Sequence, residues 1–187
     1  MLSILLLSVL LALFGLAHTQ GSPTLGLANG FSTFSTSGFT IQLVNASQTL
    51  YSLRPKSGDP SFDFVPQDKM TLRQYNGNYH LGDITYRVRA VGASAWVGGD
   101  SAASRKPVTV LKPADASILA AADLTPTLPS GSPLSITRRW RIDGNRVQLL
   151  FDVKNIGTSS LEIGALGAPL EFNNVCGPPP SKQNAHH

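Results

Sequence analysis

Cysteine is almost missing from this chain: Cys176 stands alone among 187 residues. No intrachain disulfide can form, so core burial must stabilise whatever folds. Histidine is nearly as scarce. Of four, His18 lies near the start and His186 and His187 end the chain, leaving His80 alone in the body. A metal centre built on several histidines is excluded by that inventory, and one cysteine does not compensate. A Ser-His-Asp triad would have to use His80, and no Gly-x-Ser-x-Gly elbow accompanies it. There is no Walker-type phosphate loop, and no cofactor is expected. Glutamate occurs only at Glu162 and Glu171, while several aspartates sit in turn contexts such as Gly58-Asp59-Pro60 and Asp143-Gly144. No carboxylate pair stands out by spacing as the acid and base of glycoside hydrolysis.

Charge is also sparse. Charged residues make up 14% of the chain and the net charge is +4. Arg87, Arg89, Arg105, Lys106, Arg138, Arg139, Arg141 and Arg146 supply much of the positive charge. They are scattered along strand-like segments rather than gathered into a basic stripe with stacking aromatics, which speaks against a nucleic-acid partner.

Long apolar runs are absent except at the start. Leu2 to Leu16 is almost wholly apolar and is followed by Ala17-His18-Thr19-Gln20. That is the length of a signal-peptide core and short for a bilayer span. Small residues at Gly15, Ala17 and Thr19 allow cleavage after Ala17 or Thr19. Residues 1–19 are therefore expected to be a signal peptide and the mature chain to be secreted, with no membrane association after cleavage. Roughly 170 residues then remain, one domain's worth.

Helical periodicity is lacking too, whereas period-two alternation recurs. Phe39, Ile41 and Leu43 share one face of a segment. In Asp83–Arg89, Ile84, Tyr86 and Val88 oppose Asp83, Thr85, Arg87 and Arg89. The clearest unit runs from Leu134 to Val153, with Leu134, Ile136, Trp140 and Ile142 alternating with Ser135, Thr137, Arg139 and Arg141. A turn at Gly144-Asn145 pairs Ile142 with Val147, Trp140 with Leu149 and Arg141 with Gln148. A turn at Asp143-Gly144 would instead set Arg141 against Arg146, a disfavoured like-charge pair. Arg138 falls on the apolar face of this unit, so it must reach a sheet edge or meet a buried acceptor. Leu161-Glu162-Ile163 reads as the next strand, Gly98-Gly99 as a turn, and Ala114 to Asp123 as the one place for a short helical turn. Short strands punctuated by Pro and Gly argue for an antiparallel all-β sandwich over residues 20–175. The Pro-rich tail, 176–187, is expected to be disordered.

The densest polar cluster runs from Thr71 to Asp83. Arg73, Tyr75, Asn76, Asn78, Tyr79, His80 and Asp83 interleave flat aromatics with amide and carboxylate groups. Ring faces suit the apolar patches of a sugar and polar groups suit its hydroxyls, which makes these the candidate glycan contacts. A structural loop leading into the strand at Ile84 accounts for the same residues. Asn45-Ala46-Ser47 is an N-glycosylation sequon.

Several stretches together resemble the amino-terminal region of a family of large secreted fungal proteins catalogued as a domain of unknown function. They are Met70–Arg73 with Asn76–Asp83, Arg105–Val108, Leu119–Pro129, Thr137–Trp140, Glu162–Gly167 and Glu171–Asn174. Members look like glycoside-hydrolase relatives in which a galactose-mutarotase-like β-sandwich precedes a helical toroid. The resemblance implies that this chain is the sandwich portion and that its partners are a carboxyl-terminal helical domain, missing here, and carbohydrate. Because catalytic acids of such two-part enzymes mostly lie on the helical part, no catalytic residue carries over. The function expected is thus a non-catalytic module of a carbohydrate-active protein. Two alternatives stay open: a sugar epimerase using His80 with Glu162, Glu171 or Asp83 for acid–base ring opening, and a structural fragment without activity.

Overall fold

A computed structural model describes residues 29–59, 61–65, 81–104, 106–169 and 172. The expected signal segment 1–19, most of the polar cluster (residues 71–80) and the tail 176–187 lie outside the described residues. Within them the chain is all-β, with ten strands that pair only in antiparallel fashion and no α-helix. Strands β1 (Phe31–Ser35), β2 (Phe39–Val44) and β3 (Leu50–Pro55) form the first sheet in the order β1-β2-β3. Strands β4 (Thr85–Ala90), β5 (Val97–Asp100) and β10 (Leu161–Gly167) form the second, ordered β10-β4-β5. The third holds β6 (Thr109–Leu111), β7 (Ile118–Asp123), β8 (Leu134–Asp143) and β9 (Arg146–Asn155) in sequence order.

The third sheet is the platform on which the other two rest. Its β8 alternates between buried Leu134, Ile136, Arg138 and Trp140 and more accessible residues between them. The apolar end near the β8–β9 turn meets the first sheet: Trp140 and Ala120 join Ile41, Leu43 and Leu50 in one core cluster. The opposite end meets the second sheet: Ile136, Leu134 and Ala122 pack with Ile84, Tyr86 and Val88. Arg138 lies between these ends, at the junction of the two clusters.

The β8–β9 hairpin adopts the register expected from the alternation: Ile142 opposes Val147, Trp140 opposes Leu149, and Arg141 opposes Gln148. Gly144 carries a φ of 56°, the conformation a tight hairpin needs at its first central position and one that glycine adopts without steric cost.

Two local expectations are corrected. The stretch expected to hold a helical turn instead forms β7, a central strand bonded to β6 and β8. Its alanines are good helix formers in isolation, but Ala120 and Ala122 are buried in the two core clusters, and tertiary packing overrides propensity. A 3-10 turn comes just after, at Thr125–Thr127. Gly98-Gly99 is not a turn either; both residues belong to β5. A Cβ at Gly99 would come within 2.5 Å of the Tyr86 hydroxyl oxygen, so the glycine makes room for a buried aromatic.

Candidate functional site

Of the seven expected glycan-contact residues, Asp83 lies among the described residues; Arg73, Tyr75, Asn76, Asn78, Tyr79 and His80 lie outside them. Asp83 precedes β4, is 5% exposed and accepts a hydrogen bond from the Ser101 hydroxyl at 2.8 Å. Its charge also acts on Arg138. That side chain, 1% exposed, donates from Nη1 to the Gly82 carbonyl at 2.5 Å and from Nη2 to the Ser47 carbonyl. Burial pushes the Arg138 guanidinium down to about 10, while Asp83 works in the opposite direction; the group stays charged at neutral pH. Arg138 thus ties β8 to the β2–β3 turn and to the segment entering β4, and Asp83 belongs to that internal network.

The other carboxylates among the described residues are tied into the scaffold as well. Asp63 accepts from the Ser52 hydroxyl at 2.6 Å, the Leu53 amide at 2.9 Å, the Val65 amide at 2.9 Å and Arg54 Nε at 3.1 Å. Burial works to raise its pKa, yet these donors together hold the carboxyl below the usual range. Hydrogen bonds from the Ser61 and Ser117 hydroxyls lower Asp59 and Asp115 respectively. Asp100 and Asp123 cap backbone amides, Asp143 accepts from Gln148, and Asp152 pairs with Arg139 at 2.5 Å. Asp59, Asp63 and Asp115, held as carboxylates by local donors, are poor general acids at neutral pH. Among the described residues, no group of three or more His, Cys, Asp or Glu side chains could hold a metal ion. Of the groups considered for an epimerase, His80 and Glu171 lie outside the described residues.

The remaining described carboxylate, Glu162, belongs to a cluster that sequence reasoning missed. The outer face of the second sheet carries Arg87 and Arg89, two residues apart on β4. The segment joining β4 to β5 folds back so that Trp96 lies against both: the guanidinium carbons stand 4.9 Å and 4.3 Å from the ring centroid. Gly164, at the β10 bulge between the Ile163 and Ala165 pairings, provides the seat; a Cβ there would fall 2.6 Å from Trp96 Cζ3. Arg89 Nε pairs with Glu162 at 2.5 Å. Arg87 opposes Gly98 on one side and Ala165 on the other, so neither neighbour is large enough to cover it, and it is exposed. Alternation alone places Arg87 and Arg89 on one face. The missing signal was the glycine at position 164, a strand residue without a side chain, where a large group from elsewhere approaches closely.

A match to the model of a family of unknown function, DUF5695, covers residues 42–186. The chain belongs to the DUF5695 family. No curated protein and no solved structure matches it. In this DUF5695 chain the sequon asparagine, Asn45, is exposed in the turn after β2; its Nδ2 donates to the Asn29 carbonyl at 2.8 Å. An N-linked sugar would leave one hydrogen on that nitrogen, enough to keep the bond. Among the described residues, no helix is long and apolar enough to cross a membrane.

Proposed function

We propose that this DUF5695 chain is a secreted, non-catalytic β module of a carbohydrate-active protein and that it contacts glycan on the outer face of its second sheet. The Trp96 cluster carries the reading. An indole fixed on a sheet between two guanidiniums, with a carboxylate beside them, offers apolar ring surface, N–H donors and an oxygen acceptor within one small area. A saccharide needs that mixture, since its rings expose C–H patches between hydroxyls. Trp96 is half-buried and Arg87 exposed, so a ligand can reach both. The polar segment Arg73–His80, which precedes β4 in the sequence, is a second contact region in this reading. The engaged carboxylates favour binding over hydrolysis.

Affinity electrophoresis of the secreted protein through gels containing different polysaccharides tests the proposal. The wild-type protein is expected to be retarded by at least one of them. Trp96→Ala should weaken that retardation about tenfold, because an aromatic anchor in a small interface is worth ~1–2 kcal/mol. Normal retardation of Trp96→Ala would move the contact off this sheet, and a Tyr75/Tyr79/His80 triple alanine variant would then report on the second region. Free migration of the wild-type protein in every gel would overturn the glycan reading.

A further inference from the structure

We infer that the glycan bound by this face is an acidic one and that Arg87 recognises its anionic group. The inference rests on the glycan-contact reading and goes further by naming the chemical class. Its starting point is the pairing of the arginines. Arg54 pairs with Asp63, Arg89 with Glu162, Arg139 with Asp152, and Arg141 lies 3.8 Å from Asp143. Arg138 donates to two carbonyls and is drawn to the charge of Asp83. Among the described residues, Arg87 and Arg146 have no such partner. Arg146 sits exposed beside the β8–β9 turn with no aromatic against it. Arg87 is different: it is held in place but not neutralised.

What holds it leaves its binding groups free. A guanidinium resting against an indole is fixed by its attraction to the ring, and its N–H fork remains available for a carboxylate or sulfate. Fixing the side chain beforehand also reduces the rotamer entropy lost when a ligand arrives. Gly98 and Ala165, on either side of Arg87, bring no competing acid and no bulk. The nearest carboxylate of the cluster, Glu162, is already taken by Arg89, so the cluster of two arginines and one glutamate keeps one uncompensated positive charge. A neutral sugar would leave that charge with water alone; a uronate or a sulfated sugar would pair with it.

Matched pairs of ligands separate the class from the site: oligogalacturonate against its methyl ester, glucuronoxylan oligosaccharides against their carboxyl-reduced forms, and chondroitin sulfate against its desulfated form. Affinities are measured by titration calorimetry on the secreted protein at about 0.15 M salt, where only close charge contacts survive screening. The wild-type protein is expected to prefer the acidic member of at least one pair by about fivefold, equivalent to ~1 kcal/mol. The first two pairs answer for carboxylate and the third for sulfate. Arg87→Gln should abolish the preference, so that both members of the pair bind equally, while Arg87→Lys, which keeps the charge but loses the fork, should retain part of it. Equal affinity for both members of every pair overturns the acidic class and leaves the glycan reading standing. A preference that survives Arg87→Gln overturns the role of Arg87. Absence of binding to all six ligands overturns this inference, and the polysaccharide gels then decide separately whether glycan is bound at all.

Discussion

Arg138 and Arg87 are the same side chain put to opposite uses within one small domain. Arg138 is enclosed at the junction of three sheets, where burial costs its charge dearly and two carbonyls with Asp83 nearby compensate. Arg87 stands in solvent on the outer face of the second sheet, steadied by Trp96 and opposed by no acid among the described residues. The difference teaches where such a fold spends its constraints. A buried charge must have every partner supplied by the chain, so it fixes the geometry of the sheets around it. An exposed charge needs no partner, so one that is held still without being neutralised is free to meet something from outside.

The contrast breaks first at Arg138. Arg138→Ala should lower the stability of the folded chain by about 4 kcal/mol, because it leaves a cavity and two buried carbonyls without donors. Urea unfolding followed by far-ultraviolet circular dichroism measures it. A loss under about 1 kcal/mol would mean that the sheets are joined by apolar packing alone.

Asp63 sharpens the comparison from the side of the anions. It is the acid counterpart of Arg138, 8% exposed and supplied with four donors. Asp63→Asn should cost about 2 kcal/mol at pH 7, since the amide puts an NH2 where Ser52 and Arg54 donate. The pH dependence has a definite sign. The folded carboxyl titrates below its ordinary value of 3.8, so its stabilising contribution is complete above that pH and fades as the pH falls through the folded value. The gap in unfolding free energy between wild type and Asp63→Asn should therefore narrow below about pH 4; a gap that widens on acidification would contradict the assignment.

Gly164 tests whether the exposed cluster is truly seated. Gly164→Ala would press a methyl group against the Trp96 ring, and the indole must lift off the sheet to relieve it. The expected loss is about 1 kcal/mol, small because the obstructing group is a side chain near the surface and can move. Acrylamide quenching of tryptophan emission should rise in the variant. Trp140, 4% exposed and donating from Nε1 to the Gln48 carbonyl at 2.8 Å, contributes little to quenching, so the change reports on Trp96.

The two arginines also mark how far the sequence could be read. Alternation along Leu134–Val153 set the hairpin register and put Arg138 on the apolar face, and one physical rule, that a buried charge needs an acceptor, followed directly. The acceptors themselves, the carbonyls of Ser47 and Gly82, come from segments 91 and 56 residues away, and no local pattern announces them. β7 was misread because its alanines carry a helix preference that yields only when neighbouring strands bond on both sides. Alternation places Arg87 on an outer face but gives no sign of its distinguishing contact, which arrives from Trp96 across a connection and depends on a missing side chain at Gly164. The aromatic-rich segment before Asp83 drew notice instead, since it shows its chemistry in consecutive residues.

The smallest expected effect closes the comparison at its other end. Arg87→Ala should change stability by less than about 0.5 kcal/mol, as for surface positions whose contacts are made with water or a single ring. The same substitution that cripples the fold at position 138 is then nearly silent at position 87. That silence is informative because Arg87 has an organised neighbourhood: a ring that stacks with it, small residues that flank it, and a neighbouring arginine whose charge is already met. If a structural ion network were the reason for the cluster, removing Arg87 would release Trp96 and loosen the pairing of Arg89 with Glu162, and the loss would approach that of Gly164→Ala. Unfolding curves of the Arg87→Ala and Gly164→Ala variants, taken side by side with the double variant, separate the two. Additive losses with a near-zero term for Arg87 would leave ligand contact as its role, whereas a shared loss would return the arginine to the scaffold.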